Sequence, residues 1–334
     1  MILIEETEMA MNPEQKVVSK VLVLDTDPVS MEQTKIFCEE HGLIGLKVQP
    51  DNVMFVLKSN VDLGGVLIAE NFGRKALGGI AMGRKINQVR PELPIFLRRE
   101  SSHALDDLSE RDRRPFRAAY TLQDMSFLKA ALDESIFSLD FPQILLRGVS
   151  EMTKAALESQ FIDMSAETET PYMVRDQLIY GELFTMIPID SSWCRGYMML
   201  QTEERGLVDL VKADRTHIVA SAADDFRSLN SILGEITNLI WGAFKNRFMS
   251  VQGPGLSQSQ VPIVVNHLHR YISFGSSNPQ LCFKYTMTDR TDTLAKPLVV
   301  YQKFVFNLSW SPENFSENAM SVTELVASGE LELF

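Results

Sequence analysis

One long amphipathic segment, residues 224–248, constrains the fold of this chain more than any other stretch. Its apolar side chains recur at spacings of three and four, which is the pattern of a helix with one face against a core. They are Phe226, Leu229, Leu233, Ile236, Ile240 and Ala243. Asp224 and Asp225 stand where an N-cap and a first-turn acid belong. The sequence therefore predicts a long helix with one buried side.

A second stripe, of polar and small residues, runs beside the apolar one. Four residues separated by steps of four, three and four share this face of the helix. They are Ser231, Glu235, Asn238 and Gly242. Glycine costs about 1 kcal/mol against alanine inside a helix, so Gly242 is expected to have a packing or functional reason. The pattern predicts a polar site that another molecule can approach closely. The alternative is that Glu235 and Asn238 are solvated surface residues and Gly242 is a helix-packing contact.

These residues carry a resemblance to a known family. The spacing Glu235-x-x-Asn238-x-x-x-Gly242, preceded by Ser231 and followed by Pro262, is similar to the signature of the CheC/CheX/FliY family. Members of that family are phosphatases that dephosphorylate the chemotaxis response regulator CheY. The resemblance covers about the last 185 residues, a length typical of one domain.

The resemblance implies a mechanism based on positioning. It implies that Asn238 inserts its carboxamide into the partner's active site and orients a water in line with the phosphorus. It also implies that Glu235 forms an ion pair with the partner's lysine, and Ser231 could hydrogen-bond the docked surface. Mg²⁺ is already bound in the partner, so this chain is expected to need no cofactor of its own. The expected partner is a phosphorylated CheY-like receiver, in chemotaxis or another two-component pathway.

The first part of the chain, residues 16–140, alternates strands and helices. Apolar runs predict strands at 21–24, 46–49, 66–68, 94–97 and 116–120. Helices are predicted between Pro28 and Gly42 and at 52–58, 75–86 and 125–137. This alternation indicates an α/β doubly wound fold with a parallel sheet. The order of the elements resembles a response-regulator receiver domain, which has a flavodoxin-like fold.

The acidic pair that a working receiver uses for Mg²⁺ is partly kept, as Asp25 and Asp27. Carboxylate oxygens are what Mg²⁺ requires, so the two residues form a possible vestigial metal-binding site. The alternative is that they cap a strand-to-helix turn. Ala69 or Glu70 falls near the position of the phosphoryl-accepting aspartate, and neither forms an acyl phosphate as aspartate does.

The other two catalytic positions of a receiver are also changed. Arg98 and Arg99 stand where a hydroxyl residue should follow the fourth strand, and residues 121–123 contain no lysine after the fifth. We therefore expect a pseudo-receiver that keeps the fold and docking surfaces without the chemistry. In the charged segment 101–114, a solvated helix face is favoured over a phosphate-binding patch formed with Arg117.

The second domain is predicted to span residues 141–311, beginning where Phe141-Pro142 breaks the preceding helix. Residues 144–161 predict a second long helix, in which Glu151-Met152-Thr153-Lys154 has no asparagine to match Asn238. One copy of the motif makes the chain resemble CheX more than CheC. Strands are predicted at 180–187, 195–201, 261–265, 271–274, 281–286 and 299–308, and a short helix at 205–211. These elements indicate an α+β fold with a largely antiparallel sheet and two long helices.

Charge and termini limit the environment and the partners. The net charge of the 334 residues is -12, which argues against a nucleic-acid partner bound through its phosphates. We expect no signal peptide and no membrane-spanning segment, and a cytoplasmic protein with a mobile tail at 1–15 and an acidic tail at 312–334. The widely spaced Cys38, Cys194 and Cys282 are expected to be buried thiols. His267 and His269 would share a strand face, but no further metal ligands stand nearby.

Two other expectations concern assembly. We expect a homodimer through the second domain, because single-motif relatives pair their sheets edge to edge. Residues 195–201 form an apolar strand that would otherwise risk lying at an open edge. The alternative to a phosphatase is a non-catalytic adaptor that binds receivers. A transcription factor is disfavoured, because the chain is acidic and lacks a basic recognition helix.

Overall fold

Two sheets, one parallel and one antiparallel, form the framework of the protein. The computed structural model describes residues 17–59, 62–73, 77–175, 177–217, 226–249, 261–267 and 279–317. The parallel sheet lies in the N-terminal domain and the antiparallel sheet in the C-terminal domain, which confirms both predicted fold classes.

The N-terminal sheet has five parallel strands in the order β2-β1-β3-β4-β5. They are β1 (Ser19–Leu24), β2 (Leu43–Lys47), β3 (Leu63–Ala69), β4 (Ile95–Arg98) and β5 (Phe116–Tyr120). The helices are α1 (Pro28–Glu40), α2 (Val53–Ser59), α3 (Gly78–Val89), α4 (Glu110–Arg113) and α5 (Ser126–Ser135). β3 and β4 are buried along their whole length, because helices cover both faces of a doubly wound sheet. This is the topology of a receiver domain.

The start of α1 shows how local sequence sets these elements. Pro28 occupies the first turn of the helix, where its missing N–H costs nothing. The Asp27 carboxylate caps the helix by accepting a hydrogen bond from the Ser30 N–H, with an N–Oδ2 distance of 2.9 Å. Gly42 follows the helix with a φ of +68°, and β2 begins at once. This early turn is why β2 starts at Leu43 and not at the predicted residue 46.

The C-terminal domain has a seven-stranded antiparallel sheet and two long helices. Its elements are α6 (Gln143–Gln160), β6 (Met164–Thr168), β7 (Tyr172–Val174), β8 (Leu183–Asp190), β9 (Cys194–Thr202), α7 (Glu204–Lys212), α8 (Phe226–Phe248), β10 (Ile263–Asn266), β11 (Gln280–Asp289) and β12 (Leu298–Trp310). The strand order is β10-β8-β9-β12-β11-β6, and β7 also pairs with β11. The predicted strand at 271–274 falls outside the described residues. None of the helices in the described ranges is long and apolar enough to cross a membrane.

The predicted position of β9 at an open edge is wrong. β9 lies inside the sheet, paired with β8 on one side and with β12 on the other. Its apolar character therefore reflects an inner strand that is buried along most of its length, not an edge that needs a partner. The outermost strands of this order are β10 and β6.

Hydrogen bonds join the two domains through β7. The Met173 N–H donates to the Val18 carbonyl (2.7 Å), and the Val18 N–H donates to the Pro171 carbonyl (3.1 Å). The buried Ser19 hydroxyl also donates to the Met173 carbonyl at 2.7 Å. A Cβ at Gly64 would lie 1.9 Å from Ser19 Oγ, so this close approach requires glycine. β7 thus contacts both sheets.

The segment after β12 packs back on the C-terminal domain. The Ser311 N–H donates to the Trp193 carbonyl at 2.8 Å. The Phe315 ring contacts the rings of Trp193 and Phe248, with centroid distances of 5.0 and 5.4 Å. Residues 312–317, the described part of the predicted acidic tail, therefore lie against the domain.

Candidate functional site

The inner side of α8 fixes the orientation of the helix. Its aliphatic side chains are at most 3% exposed between residues 229 and 240: Leu229, Ile232, Leu233, Ile236 and Ile240. Trp241, Phe244 and Phe248 continue the buried side toward the carboxyl end. Of the predicted stripe, Ala243 is only half-buried, while the side chain of Phe226 and all of residues 224–225 lie outside the description. Burial confirms the remainder of the stripe.

The outer side of α8 presents polar groups to solvent. Ser231, Glu235 and Asn238 are exposed, and Leu239 beside them is 38% exposed. Within the described ranges, the Glu235 and Asn238 side chains take part in no hydrogen bond or ion pair. A carboxylate and a carboxamide one turn apart are therefore available to another molecule, with an apolar side chain next to them.

Two glycines flank Asn238 on this outer side. Gly234 precedes it by four residues and Gly242 follows it by four, so each lies about one turn away. A Cβ built at either glycine would meet no described atom within 4 Å. The structure therefore gives no support to the interpretation of Gly242 as a helix-packing contact. The positions four residues before and four residues after Asn238 therefore carry no side chain.

The corresponding part of α6 is occupied differently. Glu151 forms an ion pair with Arg247 of α8 (Nη1–Oε2, 3.0 Å) and approaches Arg147 (Nε–Oε1, 3.8 Å). Lys154, at the position that matches Asn238, is exposed. α6 thus offers neither an unpaired carboxylate at this position nor a carboxamide, and the motif face of α8 has no second copy there.

Asp25, at the carboxyl end of β1, is paired with a buried arginine. The Arg98 guanidinium donates to Asp25 (Nε–Oδ2, 2.7 Å), and both side chains are at most 7% exposed. The other oxygen of Asp25 accepts a hydrogen bond from the Asp27 N–H at 3.0 Å. Both oxygens of Asp25 are therefore engaged inside the protein.

Asp27 is engaged as the cap of α1. Besides the backbone bond described above, the Ser30 hydroxyl donates to the same Asp27 oxygen at 2.5 Å. The hydrogen bonds from Ser30 lower the pKa of Asp27 below its usual value. In the described part of the chain, no group of three or more His, Cys, Asp or Glu residues could hold a metal ion. This geometry favours the turn-capping interpretation of Asp25 and Asp27 over the metal-binding one.

Arg99, the residue after β4, is also paired at this edge of the sheet. Arg99 makes a bidentate contact with Asp107 (2.6 and 2.7 Å) and reaches Glu70 after β3 (Nη2–Oε1, 3.2 Å). The hydrogen bonds with Asp107 raise the pKa of Arg99 and lower that of Asp107. After β5, Thr121 Oγ1 accepts a hydrogen bond from the Asp124 N–H at 3.2 Å. In the group that we call the neutralised edge, each carboxylate has a donor within the chain: Asp25, Asp27, Glu70, Arg98, Arg99 and Asp107.

The other sequence candidates have ordinary structural roles. His267 follows β10 and its ring lies 5.8 Å from that of Phe184, while His269 falls outside the described residues. All three cysteines are buried free thiols, and burial raises the pKa of Cys38 and Cys194 to about 12. Such thiols are not ionised near neutral pH.

Two arginines, one just before β5 and one within it, form exposed ion pairs. Arg113 contacts Asp106 at 3.5 Å, and Arg117 pairs with Glu134 of α5. These pairs suit the solvated face that the sequence favours over a phosphate-binding patch.

Comparison with known proteins gives structural similarities only. The sequence matches no protein-family model and no curated protein. A chemotaxis protein CheX from Desulfovibrio desulfuricans aligns over 48% of this chain and 99% of its own, with 14% identity and a TM-score of 0.35. A CheC-like chemotactic protein from Shewanella oneidensis aligns over 48% of this chain and 92% of its own, with 20% identity and a TM-score of 0.32.

The N-terminal domain has a separate structural relative. A response-regulator receiver domain from Clostridium thermocellum aligns over 35% of this chain and 96% of its own, with 15% identity and a TM-score of 0.29. At such identities and TM-scores these similarities assign no function, which has to be argued from the residues of α8 and of the neutralised edge.

Proposed function

We propose that the C-terminal domain is a CheX-like phosphatase that hydrolyses the phospho-aspartate of a receiver domain in chemotaxis or another two-component pathway. The observation that carries the proposal is the outer face of α8. Glu235 and Asn238 are exposed there, one turn apart, and their side chains have no partner within the described residues, so both are available to a docked receiver.

Asn238 is proposed to act on the attacking water. A phospho-aspartate is an acyl phosphate that needs a water in line with its phosphorus, so most of the catalytic gain comes from positioning. A carboxamide can both donate and accept hydrogen bonds without bringing charge toward an anionic phosphoryl group. The glycines on either side of Asn238 leave this side chain free to enter a narrow cleft. No covalent intermediate on this chain is required.

Glu235 is proposed to fix the docked orientation. Its carboxylate, one turn before Asn238, would pair with the lysine of the receiver's active site. The exposed Leu239 supplies apolar contact area beside the two polar groups, and Ser231 lies one turn before Glu235 on the same face. Mg²⁺ is proposed to come with the receiver, where it neutralises phosphoryl oxygens, so this chain contributes no metal ligand.

The two glycines give independent support for close approach by a partner. Each glycine costs about 1 kcal/mol of helix stability relative to alanine. Because an added Cβ at either would meet no atom of the described residues within 4 Å, packing within the described part of the chain does not explain that cost. An approaching protein surface does explain it, since it would come close to the helix backbone on both sides of Asn238.

The N-terminal domain is proposed to be a pseudo-receiver that takes part in binding without accepting phosphoryl groups. The neutralised edge supports this, because Glu70 and Asp25 are engaged by Arg99 and Arg98. The same observation favours the alternative function, in which the whole chain is a non-catalytic adaptor for receivers. The two functions differ in whether Asn238 accelerates hydrolysis.

Dimerisation is proposed to use an outer strand of the antiparallel sheet. With β9 in the interior, β10 is an outermost strand among those that the structure describes, and its Ile263 is 53% exposed. Light scattering at tens of micromolar, about the range in which exposed surfaces associate, should return twice the chain mass. A monomer mass would contradict the proposed dimer and would not affect the proposed phosphatase site on α8. We propose a cytoplasmic location, where receivers are found.

The experiment that tests the catalytic function is direct. The purified protein is mixed with stand-alone receiver domains from the same cell, each phosphorylated with radiolabelled acetyl phosphate in the presence of Mg²⁺. Loss of label faster than the receiver's own hydrolysis supports the phosphatase. If the protein binds receivers but accelerates the hydrolysis of none of them, the adaptor function replaces the phosphatase function.

A further inference from the structure

We infer that Thr185 and Thr237 form a hydroxyl lock that positions Asn238 for catalysis. Thr237 immediately precedes Asn238 in α8, and Thr185 lies on β8 beneath it. The inference rests on the proposed phosphatase function and adds two positioning residues to it. Neither threonine contacts the receiver, because both are fully buried.

The hydrogen bonds of the lock have a defined direction. Thr237 Oγ1 donates to the Leu233 carbonyl one turn earlier in α8, at 2.7 Å. The single hydroxyl proton of Thr237 is used in that bond, so the 2.7 Å contact between the two threonines has Thr185 as its donor. The chain of bonds therefore runs from the sheet, through Thr237, to the backbone of α8. Linked hydrogen bonds in a buried setting reinforce one another.

The hydroxyl lock restricts sliding and rotation of α8 on the sheet, which the apolar contacts of α8 restrict only weakly. Aliphatic side chains attract without a fixed direction, so they resist separation of helix and sheet more than a small slide or rotation of the helix. The hydroxyl pair is directional, and it is anchored on a strand that is hydrogen-bonded on both sides, with Thr185 opposite Val264 and Leu200. A shift of α8 would move Asn238 with it.

The polar anchors at the other end of α8 are too far away to do the same. Trp193 Nε1 donates to the Phe248 carbonyl at 2.9 Å, and Arg247 pairs with Glu151. Phe248 lies ten residues after Asn238, which is about 15 Å along the helix. Thr237 is adjacent to Asn238 and so constrains it directly.

α6 provides a matched internal control. Its Thr153, also fully buried, hydrogen-bonds Gln302 of β12 (Oγ1–Oε1, 3.0 Å). Thr153 stands immediately before Lys154, as Thr237 stands before Asn238. The same kind of lock therefore occurs on a helix without the catalytic asparagine. Removing it should affect stability alone.

The variants Thr185→Val, Thr237→Val and the double valine variant separate positioning from stability. Thr237→Val leaves the buried Thr185 hydroxyl without its acceptor, so its Tm should be the lowest of the three. Thr185→Val leaves Thr237 bonded to the Leu233 carbonyl, and the double variant leaves no hydroxyl to satisfy. Both should therefore be more stable than Thr237→Val.

The activity pattern is expected to differ from the stability pattern. All three variants lose the link between helix and sheet, so kcat should fall by about tenfold in each, with KM little changed, because misplacement of one reacting group has costs of this order or larger. Thr237→Ser keeps the hydroxyl and should restore kcat. Thr153→Val should lower Tm and leave kcat at the wild-type value. The substrate in each assay is a receiver labelled with acetyl phosphate.

The outcomes that overturn the inference are distinct from failure of the proposed function. A double valine variant with wild-type kcat, or a Thr153→Val variant that loses as much kcat as Thr237→Val, overturns the hydroxyl lock while the phosphatase stands. Losses of kcat that simply follow Tm across the series also overturn it. An inactive wild-type protein overturns the phosphatase and the lock together.

Discussion

The outer face of α8 and the neutralised edge differ in whether their polar groups are bonded within the chain. On α8, Glu235 and Asn238 are exposed and unpaired within the described residues. At the neutralised edge, each carboxylate finds a donor in its own chain, and Asp25 is paired with an arginine in a nearly dry setting. Unpaired polar groups on a rigid helix are suited to act on another molecule. Groups that are satisfied internally are suited to hold a structure.

This difference indicates how the functions are divided between the domains. In doubly wound folds, ligands usually bind at the carboxyl ends of the strands. Here that location is filled by Arg98 and Arg99, so the domain that resembles a receiver has its usual site closed. On our proposal, the residues that carry the chemistry lie only on the other domain.

The largest expected effect is that of Asn238→Ala on catalysis. Loss of the carboxamide should lower the rate of receiver dephosphorylation by about two to four powers of ten, because positioning of the water is lost in the transition state. Binding of a receiver carrying a beryllofluoride analogue should change little. Stopped-flow or label-loss assays can measure the rate. Lys154→Ala, at the matching position of α6, is the control and should retain full activity.

The next largest effect is expected at the neutralised edge. Arg98→Ala should lower the free energy of unfolding by about 3–5 kcal/mol, because it leaves the Asp25 carboxylate buried without its counter-charge. Denaturant unfolding measures the loss. Adding Asp25→Asn to Arg98→Ala should recover part of it, because the uncompensated charge is removed. Equal stability of Arg98→Ala and wild type would show that the edge is not held by this pair.

Glu235→Ala should have a smaller effect, and mainly on binding. Its ion pair with the receiver's lysine forms on docking, so the Kd should rise by about tenfold, which corresponds to about 1.4 kcal/mol. Calorimetric titration with the beryllofluoride-loaded receiver gives the affinity, and the fold should be unaffected because Glu235 is exposed. An unchanged Kd with reduced turnover would assign Glu235 to the chemical step and not to docking.

Replacing the glycines of the outer face by alanine should change the stability of the isolated protein by a smaller amount, and should increase it. Gly234→Ala and Gly242→Ala should each raise the free energy of unfolding by about 1 kcal/mol, since the added methyl meets no described atom within 4 Å. Both changes should weaken receiver binding if the partner approaches the helix closely. Stabilisation without any loss of affinity would mean that the partner does not contact this part of α8.

The smallest effect is expected when the full chain is treated with acetyl phosphate and Mg²⁺. No phosphoryl group should be retained in the N-terminal domain, because Ala69 and Glu70 replace the accepting aspartate and Glu70 is paired with Arg99. Intact-mass measurement after desalting reports the stoichiometry. Labelling near one phosphoryl group per chain would contradict the division of functions between the two domains.

Local sequence patterns were sufficient for many elements of this fold. β5 has the bounds that its apolar run predicts, and α6 and α8 are the two long helices expected from their 3.6-residue periodicity. β6 and β7 were not predicted, because MSAET has little apolar character and YMV is only three residues long. The inner position of β9 was also missed, since an apolar strand looks the same at an edge and in the middle of a sheet.

The candidate site divides in the same way. The helical spacing of Ser231, Glu235 and Asn238 is a local property, and it correctly placed them on one exposed face. Whether other described segments pack against Gly242 depends on the tertiary structure, and the spacing of the motif could not predict that none does. The same holds for Arg98, whose partner Asp25 is 73 residues away in sequence. An arginine that ends a buried strand of a parallel sheet was the available signal for a counter-ion.

The β7 junction has a consequence for cooperativity. β7 pairs with β11 and also forms a backbone hydrogen bond with Val18, next to β1. Unfolding of either sheet would therefore remove backbone hydrogen bonds that the other sheet uses. The two domains should therefore unfold in one calorimetric transition whose van't Hoff and calorimetric enthalpies agree. Producing the two domains as separate chains, divided near Pro142, would leave Ser19 and Met173 without their hydrogen bond to each other. The expected unit of folding is then the pair of domains and not either domain alone.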